Sequence, residues 1–362
     1  MTALENSLRY ASAPNDRLHA RDLVVRYGWH SIAYQILNPG MRYWFSPAGD
    51  AVVGYVVAGG YWVAAGSPIC APERLNATAG MFAVAAARQG YRVCYFGAQD
   101  GFAAALVPNG PVARLLLGAQ PVWNPHHWLL ILAHKASLRA QIARARNKRV
   151  LIQPWTQELA AHHPALRQCL AAWLATRGLP PLHFLVEPAM LAALDDRRIF
   201  VARRADAVVA YLIATPIPRR NGWLIEQIVR DHGAPNGTAE LLIDTAMRTL
   251  AAVGATYVTL GLSPLSTHTD SSVTPQSRLI QTLLAWARAH GNRFYNFAGL
   301  DAFKTKLQPE HWEPIYALSY ERQPSLRTLY AIAGAFSGTS PLIFLPRTML
   351  RAVRQEMRWM IE

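Results

Sequence analysis

Asp50-Ala-Val-Val-Gly-Tyr-Val-Val57 returns later in the chain as Asp206-Ala-Val-Val-Ala-Tyr-Leu-Ile213. Both runs are rich in β-branched and aromatic residues and follow a turn-forming Asp, so both are expected strands. Each continues through a glycine-containing turn, Gly59-Gly60 or Asn221-Gly222, into a second strand that carries a tryptophan, Trp62 or Trp223. Each copy is therefore a hairpin. Helical stretches follow at residues 73–89 and 237–253. In the second, Ala239, Leu242, Ile243, Ala246, Met247 and Leu250 keep the 3, 4, 7, 8 spacing of one apolar stripe, with Asp244 and Arg248 off it. A further strand comes next in each case, at residues 91–96 and 256–260. The order β-β-α-β thus occurs twice, and a repeat of this length implies duplication of a whole α/β unit rather than a solenoid.

Working outward, residues 1–133 and 151–322 form the two expected halves, 134–150 join them, and 323–362 are an extension. The 362 residues are 52% hydrophobic and only 16% charged, which excludes a disordered chain. The formal net charge of +14 selects an acidic partner, either nucleic acid or a phosphate-bearing membrane surface. Cys70, Cys94 and Cys169 are scattered and odd in number, which supports neither a disulfide framework nor a zinc site and suits a reducing compartment. The first twenty residues contain no apolar core of a secretory signal, so export by that route is not expected. The uncharged stretch between Arg327 and Arg347 is interrupted by Gly334, Ser337, Gly338, Thr339, Ser340 and Pro341, which favours an interfacial over a membrane-spanning segment.

Two segments concentrate positive charge. The joining stretch carries Lys135, Arg139, Arg144, Arg146, Lys148 and Arg149 with no acidic residue, and Leu138, Ile142 and Ala145 form a narrow apolar stripe. A basic amphipathic helix is expected, with Ser137 capping its first turn. Its like charges repel, and a bound phosphate polymer would relieve that cost. Near the end of the chain, Arg347, Arg351, Arg354 and Arg358 share one helical face beside Leu350, Val353, Met357 and Ile361. Such a helix could lie among lipid headgroups with its guanidinium groups on phosphates, or dock on the protein's own core.

Three patterns carry candidate chemistry. Gln227-Ile-Val-Arg230-Asp-His-Gly233-Ala-Pro-Asn236-Gly237 ends a strand and opens a helix, where free backbone N–H groups attract an anion. It resembles the pyrophosphate loop of acyl-CoA-dependent acyltransferases of the GNAT type, although Pro235 removes a donor there. Residues 294–306, including Tyr295, Asn296, Phe297, Gly299, Phe303, Lys304 and Lys306, are dense in aromatic and basic side chains. Trp312-Glu313-Pro314 follows. The adjacent pairs His126-His127 and His162-His163 lack metal-ligand spacing, and neither a GxSxG elbow nor a Walker A loop occurs.

Together, Ala234-Pro235-Asn236-Gly237 with Glu240, Gly261-Leu-Ser-Pro264-Leu265, Tyr295-Asn296-Phe297-Ala-Gly299-Leu300-Asp-Ala-Phe303-Lys304-Thr-Lys306 and Trp312-Glu313-Pro314 resemble the C-terminal domain of the lysylphosphatidylglycerol synthetases, the multiple peptide resistance factors. The resemblance covers about residues 25–320, and the stretch Leu138 to Arg146 is similar to that family's linker helix. It implies a tandem GNAT-like fold, agreeing with the duplicated hairpin, and transfer of an aminoacyl group from aminoacyl-tRNA to a lipid hydroxyl such as that of phosphatidylglycerol. In the family an Asp three residues before an Arg precedes the Ala-Pro-Asn-Gly loop. Here Gln227 holds that place and Glu226 is the nearest carboxylate.

The implied reaction is an ester exchange that needs no metal or redox cofactor. It asks for substrate positioning, a base and oxyanion stabilisation. By charge, Arg230, Lys304 and Lys306 are candidates to hold the lipid phosphate or the tRNA terminus. Glu226 or Glu240 would hold the substrate ammonium or act as base, Glu240 having the alternative role of a helix-dipole partner. Gln227, Asn236, Gly237, Asn296, Lys306 and Glu313 are candidate substrate contacts. Arg139, Arg144, Arg146, Lys148 and Arg149 are candidate tRNA or phosphate contacts, and Arg347, Arg351, Arg354 and Arg358 candidate membrane contacts. The family's larger members carry a membrane flippase ahead of this domain, and the expectation here is transfer without translocation, at the inner face of the cell membrane. Acyl-CoA-dependent N-acylation, or lipid or RNA binding without turnover, are the alternative readings.

Overall fold

A computed structural model describes residues 14–175, 183–186, 188, 190–268 and 297–338. In the first half α1 (Pro14–Tyr27) precedes β1 (Arg42–Phe45), β2 (Val52–Ala58) and β3 (Tyr61–Ala65), and then α2 (Leu75–Arg88), β4 (Arg92–Ala98), α3 (Asp100–Leu106) and β5 (Ala113–Trp123). The joining segment is α4 (Trp128–His134) and α5 (Ala136–Asn147). Next come β6 (Val150–Trp155), α6 (Gln157–His162), α7 (Pro164–Ala175), β7 (Arg198–Arg204), β8 (Ala207–Ile217), β9 (Gly222–Arg230), α8 (Thr238–Ala252), β10 (Tyr257–Thr259) and β11 (Ser263–Pro264). The described chain ends with α9 (Phe297–Lys306), β12 (His311–Ser319) and α10 (Leu326–Ser337).

The repeated phrase folds the same way twice. β2 and β3 are antiparallel, turning at Gly59 and Gly60, both at positive φ, and β3 runs parallel to β4 after the α2 crossover. β8 and β9 are antiparallel, with Asn221 left-handed at the turn, and β9 runs parallel to β10 after α8. This is the tandem acyltransferase-like α/β fold with a mixed sheet. The strands nevertheless form a single 12-stranded sheet among the described residues, in the order β1-β2-β3-β4-β12-β5-β10-β9-β8-β7-β6, with β11 attached to β5. β12, which falls within residues 151–322, lies between β4 and β5 of the first half and is paired antiparallel to both. The sheet is thus continuous across the sequence boundary between the halves.

Apolar clusters cover both faces. Trp62, Phe82, Tyr95 and Phe102 centre one in the first half. Trp123, Trp128, Leu242 and Met247 centre another that draws on both halves, and Leu138, Ile142 and Ala145 of α5 belong to it. Each large side chain so buried stabilises by about 1.5–3 kcal/mol. The stripe of α8 is buried as its spacing requires, but Asp244, off the stripe, is only 1% exposed. It accepts from Trp128 Nε1 at 2.9 Å, Arg146 at 2.9 Å and Arg248 at 2.7 Å, which fastens the joining helices to α8. The start of the stretch read as interfacial behaves otherwise: α10 buries Ala331, Ile332 and Ala335 in a third cluster, with Val24, Ile36 and Val63. No described helix is long and apolar enough to cross a membrane. Arg347, Arg351, Arg354 and Arg358, like Asn296, lie outside the described residues.

Candidate functional site

The expected pair Lys304 and Lys306 lies on one helix, α9, two residues apart and therefore on opposite sides of it. Lys304 points inward, is 3% exposed, and its Nζ donates to the carbonyls of Gly261 and Leu262, both at 2.8 Å. Burial pushes its pKa down to about 7, against the pull of nearby Asp301. Lys306 turns the other way and its Nζ pairs with Glu240, in the first turn of α8. Only Lys306 of the two lines an open groove of about 590 Å³, together with Lys135, Ser137, His268, Asp301 and Thr305.

The groove runs between the start of α5 and the flank of α9. Ser137 does not cap α5: the cap position is Lys135, which makes no side-chain cap, and Ser137 faces the groove. On the α9 side, Asp301 Oδ1 accepts from Ser263 Oγ at 2.7 Å, and Asp301 Oδ2 lies 3.1 Å from His268 Nε2. His268 Nε2 is also 3.0 Å from Thr305 Oγ1, and its ring stacks on Trp312 at 4.0 Å between centroids. Sequence reasoning missed His268 and Asp301. They are 33 positions apart, with no local spacing to link them, and meet only because β11 and α9 pack together.

The remaining candidates are elsewhere. Glu226 sits in β9 with its carboxylate 3% exposed and hydrogen-bonded by Gln35 at 2.8 Å, Asn38 at 3.1 Å, Arg197 at 3.3 Å and the Thr215 hydroxyl. Those four donors saturate it and tie the first half to the second, so it joins neither the groove nor Arg230. Glu313 is similarly engaged: Gln99 at 2.6 Å, Gln120 at 2.7 Å, Tyr257 at 3.0 Å and Arg220 at 2.8 Å all bond it. Burial raises its pKa, yet the charge and hydrogen bonds of Arg220 outweigh that and hold the carboxyl below the usual range. Arg230 ends β9 as an exposed side chain away from the groove lining. Gln227 is half-buried with its carbonyl oxygen unpaired among the described residues, and Asn236 is exposed.

Gly237 has a backbone reason for being glycine. Its φ is +92°, and a Cβ there would stand 1.9 Å from the carbonyl oxygen of Gln141 in α5. The joining helix therefore lies directly on the N-terminus of α8. The loop read as a pyrophosphate cradle is in contact with α5 at Gly237, while His232, Gly233 and Asn236 are exposed. On α5, Arg139 donates to the carbonyls of Leu132 and Ala133 and Arg146 pairs with Asp244. Arg144, Lys148 and Arg149 are exposed and have no acidic partner among the described residues.

The family described as phosphatidylglycerol lysyltransferase, C-terminal, matches residues 21–319. Among curated proteins, the chain is 26% identical over 309 residues to the lysylphosphatidylglycerol biosynthesis bifunctional protein LysX of Mycolicibacterium vanbaalenii, covering 83% of this chain and 28% of that protein. The chain thus spans well under a third of that relative. Among solved structures, the C-terminal domain of a proposed lysylphosphatidylglycerol synthetase from Agrobacterium fabrum superposes with a TM-score of 0.75 at 24% identity, covering 90% of this chain and 98% of that one. L-PGS from Bacillus licheniformis superposes with a TM-score of 0.72 at 20% identity, covering 91% and 97%. A match over most of the chain, on a doubled β-β-α-β sheet, places the protein in the phosphatidylglycerol lysyltransferase C-terminal family.

Proposed function

We propose that the protein transfers an aminoacyl group from aminoacyl-tRNA to a hydroxyl of an anionic phospholipid such as phosphatidylglycerol, working at a membrane surface. The observation that carries this reading is the groove between α5 and α9, where a cationic helix meets the Lys306–Glu240 pair. Two polyanions must come together in such a reaction. Arg144, Lys148 and Arg149, free of acidic partners among the described residues, offer the tRNA backbone a charged track at the end of α5 away from the groove. On this reading Lys306 holds a phosphate as a point charge and its ion-pair partner Glu240 receives the ammonium of the carried amino acid. Lys304 acts at one remove, holding the backbone at Gly261 and Leu262 just before Ser263.

Leu129 and Leu130, 56% and 61% exposed on α4, precede Lys135 and Arg139. Exposed leucines next to cations suit a surface resting on anionic headgroups. The covered N-terminus of α8 argues against acyl-CoA as donor.

The test supplies purified protein with tRNA charged with labelled amino acid and with phosphatidylglycerol vesicles. Label entering the organic phase, and abolished by ribonuclease pretreatment, is expected. Binding to both partners without any label in lipid would replace this reading with a non-catalytic one.

A further inference from the structure

His268 is held more firmly than a half-exposed loop residue needs. Its Nε2 contacts Asp301 and Thr305, its ring face lies on Trp312 at an interplanar angle of 11°, and its backbone N–H donates to Ser266 Oγ at 3.3 Å. Asp301 is itself fixed by the buried Ser263 hydroxyl. A carboxylate only accepts hydrogen bonds, so the proton of a neutral imidazole here sits on Nε2 and the lone pair on Nδ1. Nδ1 makes no hydrogen bond among the described residues, and His268 lines the groove. The ring thus lines the groove with Nδ1 unpaired among the described residues, seven and six positions along the chain from the lysine-held carbonyls of Gly261 and Leu262.

We infer that His268, positioned by Asp301 and Thr305, is the general base for the hydroxyl that attacks in the groove. The inference rests on the aminoacyl-transfer reading. The lipid oxygen forms its bond to the ester carbonyl carbon while Nδ1 takes the hydroxyl proton, and the carbonyl electrons move onto oxygen. As the tetrahedral species collapses, the bond to the ribose oxygen breaks and that oxygen receives the proton back from the imidazolium. The products are a new lipid ester and a free tRNA terminus, and no other reactant is consumed. Asp301 stabilises the transient imidazolium and fixes its tautomer without itself touching substrate.

The experiment measures kcat and KM for lipid aminoacylation by wild type, His268→Ala, His268→Gln and Asp301→Asn, each checked for unchanged thermal unfolding and circular dichroism. His268→Ala and His268→Gln should lose about 10²–10⁴-fold in kcat with KM within threefold. Added imidazole should restore activity to His268→Ala and not to His268→Gln, whose longer side chain still fills the site. Asp301→Asn should lower kcat and alter the pH profile. Wild-type rates in both His268 variants, or a loss that falls on KM and resists imidazole, would overturn the inference while leaving the reaction standing. A wild-type protein silent with charged tRNA and every phospholipid offered would instead overturn the reading beneath it.

Discussion

Lys304 carries a charge whose cost is set by where α9 puts it. An unfolded lysine titrates near 10.4, whereas the buried ammonium titrates at about 7. Between those values the unfolded chain binds a proton that the folded chain has released, so the stability contribution of this residue rises with pH across the window. Below about pH 7 the whole penalty of burying the charge is present; toward pH 10 it has gone. In urea unfolding from pH 6.5 to 9.5, the stability of wild type relative to Lys304→Met should therefore climb with pH. A flat difference would contradict the buried placement. The same residue shows what composition hides. The sequence pairs Lys304 with Lys306 as two phosphate contacts, but two positions on a helix are about 200° apart, and only the second reaches the groove. His268 was illegible for the opposite reason: its partners are distant in sequence and nothing in its neighbourhood announces them.

At the level of elements, the doubled hairpin was fully readable, since strand alternation, turn residues and the α8 stripe are local signals. The insertion of β12 between β4 and β5 was not, because strand order depends on long-range pairing that no local pattern encodes. The seat of α5 on α8 was half legible. The apolar stripe Leu138, Ile142 and Ala145 gave its buried face, while Gly237, read as a substrate contact, is where the two backbones meet. Gly237→Ala should destabilise by about 2–4 kcal/mol, from left-handed strain plus forced separation of the helices. Urea unfolding measures this, and a change under about 0.5 kcal/mol would contradict the contact. The outward face of α5 makes a separate prediction. Arg144→Ala with Lys148→Ala should weaken tRNA binding and flatten the dependence of log affinity on log salt by about one unit or less per lost phosphate contact. Fluorescence anisotropy with labelled tRNA across a salt series checks it, and an unchanged slope would remove α5 from the tRNA track.

Across the whole molecule, one sheet unites two acyltransferase-like halves, and two carboxylates that sequence reasoning assigned to substrate make hydrogen bonds across them. Glu226 binds Gln35 and Asn38 of the first half, and Glu313 gathers Gln99, Gln120, Arg220 and Tyr257 around the point where β12 meets β5. With those charges engaged in hydrogen bonds, the proposed chemistry is assigned to the groove beside α5, lined by Lys306 and His268. The net charge of +14 of the whole chain suits the proposed approach of two polyanions, tRNA and an anionic bilayer.

The most direct measurement compares wild type with Lys306→Ala for transfer of labelled amino acid from charged tRNA into phosphatidylglycerol. The account predicts ribonuclease-sensitive label in the lipid with wild type and at least about a tenfold lower rate in the variant, since a charged hydrogen bond contributes about 1.5–3 kcal/mol. Label drawn from acyl-CoA instead of tRNA, or equal rates for the two proteins, would contradict it.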